Sequence, residues 1–129
     1  MLNRLIGTAA TGLLLLAGTA QAVPIEKAPR CFTTQFFNTW KAADDRTIYI
    51  KVGLHDFYRL DLANRCPALL SVNPHLVTQW RGSNWVCNAL DWDLKVSRGV
   101  GLGADPCIVQ AMTPLTKQEA DAIPRKFKP

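Results

Sequence analysis

Thr47-Ile48-Tyr49-Ile50-Lys51-Val52-Gly53-Leu54-His55-Asp56-Phe57-Tyr58-Arg59-Leu60-Asp61-Leu62 is two alternating runs around a short connector. Ile48, Ile50 and Val52 share one face of the first run, with Tyr49 and Lys51 on the other. Tyr58, Leu60 and Leu62 oppose Phe57, Arg59 and Asp61 in the second. Period-two alternation makes each run a half-buried strand, and a short Gly-containing link makes the pair a β-hairpin. The polar stretch 42–46, with Asp44-Asp45-Arg46, precedes the hairpin as a turn.

The same pattern extends outward. Residues 31–40 are aromatic and β-branched, and they predict a strand with Phe32, Thr34, Phe36, Asn38 and Trp40 on one face. Cys66-Pro67 marks a turn or a single helical turn within 64–70. Residues 76–80 are a strand candidate, and Arg81-Gly82-Ser83-Asn84 a turn. Residues 85–96 predict one long strand with Leu90, Trp92, Leu94 and Val96 opposite Asp91, Asp93 and Lys95. Gly99, Gly101 and Gly103 predict a flexible loop up to Pro106, followed by a short strand over 108–112. Thr116 with Glu119 fits a capping box, so 117–123 predicts a short helix ended by Pro124. About six strands with turn signals between them predict an all-β domain. The expected form is a small, mostly antiparallel barrel or curled sheet, with two disulfides and a short C-terminal helix.

The first 22 residues follow a different pattern. Arg4 gives a positive start, residues 5–17 an apolar stretch, and Ala20-Gln21-Ala22 a small-x-small cleavage site. This predicts a cleaved signal peptide over 1–22. The apolar core falls short of the ~20 residues of a membrane span. Cys31, the first cysteine, lies too far from the cleavage site for lipid attachment. A Pro-containing leader (23–30), a β domain (31–116) and a short helix with a basic tail (117–129) then follow. No transmembrane segment is expected after cleavage, and the expected location is periplasmic or secreted.

The formal net charge is +5, yet residues 31–116 hold eight basic and seven acidic side chains. A nucleic-acid binder carries its basic stripe on the domain itself, so nucleic acid is not an expected partner. The cationic tail leaves room for weak contact with an anionic lipid or acidic glycan surface.

Cys31, Cys66, Cys87 and Cys107 contain no Cys-x-x-Cys pair, which argues against zinc and redox motifs. An even count in a small exported chain predicts two disulfides. Three connectivities are available. The nested one, Cys31–Cys107 with Cys66–Cys87, is favoured because the first and last strands of small barrels often lie side by side.

Chemistry is sparse. His55 sits in the hairpin connector and His75 follows a proline, and neither has a close histidine or carboxylate at metal-ligand spacing apart from Asp56 next to His55. Asp91 and Asp93, two apart on a strand, would point the same way as a cation or acid–base pair, though Lys95 makes a plain polar face the simpler account. Asp44-Asp45 fits turn formation. Gly99-x-Gly101-x-Gly103 lacks the lysine and helix of a phosphate cradle. No catalytic residue, metal or cofactor is assigned. Trp80, Arg81 and Trp85 flank a turn and form the candidate binding surface, since exposed tryptophan beside arginine suits sugar stacking or a protein interface. A Trp80–Trp85 pair across a hairpin is the structural alternative.

Several of these pieces together resemble a domain-of-unknown-function family of small exported proteobacterial proteins. They are Cys31-Phe32, Asp44-Asp45-Arg46-Thr47-Ile48, Tyr58 with Leu62, Cys66-Pro67-Ala68-Leu69, Cys87 with Asp91, Cys107, and Thr113-Pro114-Leu115-Thr116. The resemblance spans about residues 31–119. It implies export and a four-cysteine scaffold, and it brings no reaction, cofactor or catalytic residue. An aspartate–arginine turn is frequent in that family where Asp45-Arg46 stands, either as structure or as a binding epitope. The expected function is a non-catalytic binding or structural component of the cell envelope, with an envelope protein or glycan as partner. The alternatives are an inhibitor of an envelope or foreign hydrolase, presenting the 80–85 loop, and a hydrolase of glycan or peptide using Asp91, Asp93 or a histidine.

Overall fold

The computed structural model describes residues 30–80 and 82–129. The expected signal peptide, nearly all of the leader, and Arg81 lie outside the described residues. The strands are β1 (Phe32–Thr33), β2 (Phe37–Ala42), β3 (Thr47–Val52), β4 (Asp56–Leu62), β5 (His75–Trp80), β6 (Trp85–Val86), β7 (Trp92–Ser97), β8 (Ala104–Pro106) and β9 (Val109–Pro114). One short helix, α1 (Lys117–Asp121), follows.

The hairpin forms as its alternation predicts. β3 and β4 pair antiparallel with Ile48 opposite Leu60 and Ile50 opposite Tyr58, and all four are buried. Gly53 turns the chain with φ +59°, a left-handed conformation that glycine adopts without a Cβ clash. The hairpin anchors a sheet of order β2-β3-β4-β9, alongside a sheet β5-β7-β8 and the small pair β1-β6. Every pairing is antiparallel.

One stretch of chain joins the two larger sheets. β8 pairs with β7 and β9 pairs with β4, and Cys107 sits between them. Its N–H donates to the Leu94 carbonyl at 2.9 Å, and the next carbonyl, Ile108, accepts from Ala63 at 2.8 Å. The result is a curled antiparallel sheet running β2-β3-β4-(β9, β8)-β7-β5. It does not close into a barrel, because no ladder joins β2 to β5 among the described residues. Aromatic rings pack near the two edges instead. Phe37 of β2 lies 6.4 Å from Trp80 of β5, and Trp80 lies 4.9 Å from Trp92.

Three local expectations change. Residues 31–40 do not form one strand, because a 3-10 turn at Thr34–Phe36 separates β1 from β2. That turn shifts the phase, so Phe32 and Phe37 face the core while Phe36 is exposed. Residues 85–96 also break, at a 3-10 turn over Ala89–Asp91, and Leu90 points to solvent. The glycine loop includes the short strand β8.

Two disulfides form, as expected, but neither is one of the favoured pairs Cys31–Cys107 and Cys66–Cys87. Cys31 bonds Cys87 and Cys66 bonds Cys107. The nested expectation assumed that the first strand lies beside the last. β1 lies instead beside β6, with Phe32 opposite Val86, which carries Cys31 to Cys87. Cys66, before the Pro67–Leu70 turn, and Cys107, at the bend between sheets, are both buried.

The C-terminal capping box forms as expected. Thr116 Oγ1 accepts the Glu119 N–H at 3.2 Å, and Glu119 Oε2 accepts the Thr116 N–H at 2.7 Å. None of the described helices is long and apolar enough to cross a membrane.

Candidate functional site

The expected surface around the 81–84 turn is divided by the fold. Trp80 is half-buried and packs against Phe37 and Trp92. Its ladder partner is Trp92, so no Trp80–Trp85 pair forms. Trp85 is 56% exposed and stands opposite Thr33 in the β1–β6 ladder. Arg81 is outside the described residues.

Trp85 borders a cleft of about 330 Å³ whose walls include Phe36, Thr33, Gly53, Asp56 and Cys31 of the Cys31–Cys87 bridge. Local backbone bonds fix both aromatic residues. The Thr34–Phe36 turn ejects Phe36, and the Phe36 carbonyl accepts the Gly53 N–H at 2.7 Å. Ser83 Oγ accepts the Trp85 N–H at 3.2 Å, and Thr34 N–H donates to the Asn84 carbonyl at 2.9 Å. The two exposed side chains are therefore presented by braced main chain and line the same concave surface. Such a surface offers large contact area at low entropic cost. A smaller hollow of about 170 Å³ adjoins it, lined by Thr33, Thr34, Gln35, Asn84 and Trp85. Thr33 Oγ1 is shielded from solvent and has no hydrogen-bond partner among the described residues.

On its other side, Asp56 is shared with a charged groove of about 360 Å³ that includes Arg30, His55, Lys117 and Asp121. The charges there neutralise one another. Arg30 lies 3.5 Å from Asp56, and Asp121 meets Lys117 at 2.7 Å and Lys128 at 3.5 Å. The Lys117 hydrogen bond lowers the Asp121 pKa, and the same bond raises that of Lys117. The basic tail is thus partly folded back, with Lys128 also 5.7 Å from the Phe57 ring centre.

The other candidates are spread out. Asp91 is not on a strand face with Asp93. Its Oδ2 accepts the N–H of Cys87 at 2.7 Å and of Asn88 at 3.0 Å. Asp93 borders a separate apolar hollow with Leu90, Trp92 and Ile108. His55 lines the charged groove, while the His75 ring bonds the Asn73 carbonyl at 2.9 Å. Among the described residues, no three His, Cys, Asp or Glu side chains cluster as a metal site. Asp44 Oδ1 accepts the Arg46 N–H, and Asp45 Oδ2 accepts from Arg65 Nε at 2.6 Å, so the aspartate–arginine turn serves as a brace.

Phe36 and Thr33 escaped the sequence reading. The available signal was the adjacent pair Phe36-Phe37, which cannot both face inward on one continuous strand. A family model described as "Family of unknown function (DUF6491)" matches residues 1–126, and the chain belongs to that family. No curated protein matches the chain. No solved structure matches it.

Proposed function

We propose that this DUF6491 member is an exported, non-catalytic binding component of the cell envelope, and that the cleft between Phe36 and Trp85 is its contact surface. The observation that carries this is the pair of exposed aromatic side chains held on braced backbone beside the Cys31–Cys87 bridge. Large exposed aromatics at a concave patch are characteristic of binding sites. Two disulfides support work in an oxidising compartment, in keeping with the signal-peptide pattern of the first 22 residues. The dispersal of His55, His75, Asp91 and Asp93 favours binding over the hydrolase alternative. The inhibitor alternative keeps one favourable observation, the exposed run Gly82-Ser83-Asn84-Trp85.

The test is co-sedimentation of the purified mature protein with washed cell-envelope fragments. Wild type is expected in the pellet, and the Phe36→Ala/Trp85→Ala variant in the supernatant. Equal partitioning of the two proteins would overturn the assignment of this surface.

A further inference from the structure

We infer that the Cys31–Cys87 bridge is a redox clasp: a dithiol opens it selectively, the Cys66–Cys107 bridge stays closed, and the Phe36–Trp85 surface is released. The regulatory part rests on that surface being the contact site. The two bridges stand in opposite surroundings. Cys66 and Cys107 are 2% and 1% exposed and belong to the hydrophobic core. Cys31 is exposed and borders the cleft, and Cys87 is half-buried. The loops they close are similar in length, so chain entropy sets the bridges little apart. Access for an attacking thiolate separates them, and exposed bridges are the labile ones.

The position of the clasp turns its opening into a change of surface. Cys31 begins the arm that carries Phe36, and Cys87 ends the arm that carries Trp85. Each arm seats one side chain in the core, Phe32 and Val86. Besides the bridge, the arms are joined by the two-residue β1–β6 ladder and by the Thr34 N–H bond to the Asn84 carbonyl. A two-stranded pairing of this kind is marginal in water without a further constraint. The β3–β4 hairpin and the Cys66–Cys107 junction lie outside both arms and keep the core folded when the clasp opens. The exchange balances with the dithiol as co-reactant. One of its thiolates attacks Cys31 Sγ and forms a mixed disulfide, while the bond to Cys87 breaks and Cys87 leaves as a thiolate that takes up a proton. The second thiol then attacks its partner sulfur in the mixed disulfide and releases Cys31 as a thiol. Two electrons and two protons pass to the bridge, and the dithiol leaves as a disulfide.

The experiment is stepwise reduction of the purified mature protein with dithiothreitol under native conditions, quenched with iodoacetamide and mapped by peptide mass spectrometry. Cys31 and Cys87 are expected to be alkylated together at dithiothreitol levels that leave Cys66 and Cys107 bridged. In that one-bridge species, amide exchange rises at Phe32 and Val86 while Ile50 and Leu60 stay protected. Its retention on envelope fragments falls to that of Phe36→Ala/Trp85→Ala and returns on reoxidation. Opening of both bridges together, or of Cys66–Cys107 first, overturns the selective clasp. A one-bridge species with unchanged exchange at Phe32 and Val86, or with undiminished envelope retention, overturns the release of the surface. Failure of the oxidised wild type to pellet with envelope removes the contact surface and its regulation, while the order of alkylation and the amide exchange still decide for or against the clasp.

Discussion

Asp91 accepts the backbone N–H of Cys87 at 2.7 Å, across the turn that interrupts what the sequence presents as one long strand. The same carboxylate oxygen takes the Asn88 N–H, while Asn88 Oδ1 accepts from Leu90 at 2.8 Å. This reciprocal box folds the chain back after Val86 and sets Cys87 where Cys31 can reach it. Asp91→Ala is expected to destabilise the protein by about 1–2 kcal/mol, the usual scale for losing a cap. Urea unfolding with an unchanged slope would measure it. A wild-type midpoint would show that the turn holds without the carboxylate.

The two disulfides close loops of similar length, with sequence separations of 56 and 41 residues. On the loop-entropy model each contributes about 4 kcal/mol, a large share of a typical total of about 5–15 kcal/mol. Their structural consequences differ. Cys31→Ser/Cys87→Ser is expected to fray β1 and β6, two residues each, and to disorder the Phe36–Trp85 cleft. Cys66→Ser/Cys107→Ser disturbs the buried junction of the two sheets. Amide hydrogen exchange distinguishes them. The first variant should lose protection at Phe32 and Val86 while Ile50 and Leu60 stay protected, and the second should lose protection across the core.

Trp92 and Trp85 are expected to behave oppositely. Trp92 is 5% exposed and packs against Phe32, Phe37 and Trp80. Trp92→Ala should cost about 3–5 kcal/mol through lost burial and the cavity left behind. Trp85→Ala should change stability by no more than about 0.5 kcal/mol, as for a surface site. Denaturant midpoints of the two variants check this. A large loss at Trp85 would make it a packing residue and remove the basis of the proposed site.

Tyr58 sets an alkaline limit on the fold. Its ring is buried and its hydroxyl donates to the Arg30 carbonyl at 3.3 Å. Burial raises its pKa above the ordinary 10.0, with Asp56 adding to the rise and Arg30 opposing it. Below 10.0 the phenol is protonated in both folded and unfolded chains, and its contribution to stability is complete. Above that value the unfolded chain ionises first, and the contribution is lost as pH rises through the folded value. Tyr58→Phe should therefore show a shallower alkaline decline in urea midpoint than wild type. Parallel declines would mean that other groups govern alkaline unfolding.

Much of the fold is legible where the information is local. Ile48, Ile50, Val52, Tyr58, Leu60 and Leu62 are all buried, as their alternation requires, and Thr116 caps α1 through Glu119. Alternation misled where a turn hides inside it. Phe36 shares the parity of Phe32, but the 3-10 turn between them adds a phase shift that a period-two count cannot register. Leu90 likewise shares the parity of Trp92 yet stands 83% exposed, because Asp91 and Asn88 satisfy backbone N–H groups locally and end the strand there.

The candidate site was half legible. Trp85 is conspicuous as a tryptophan beside turn residues, but Trp80 has equal standing on that ground. Only the ladder pairing Trp80 with Trp92 turns one inward, and only the pairing with Thr33 leaves the other out.

By itself the sequence determined the hairpin at 47–62, the helix cap and the four-cysteine scaffold, because each depends on side-chain type and on neighbours a few residues away. The tertiary structure alone decided which cysteines meet, how β8 and β9 join the sheets, and that Phe36 and Trp85 border one cleft. Those outcomes depend on strand order, which brings together residues as distant as Cys31 and Cys87, and no local pattern encodes that order.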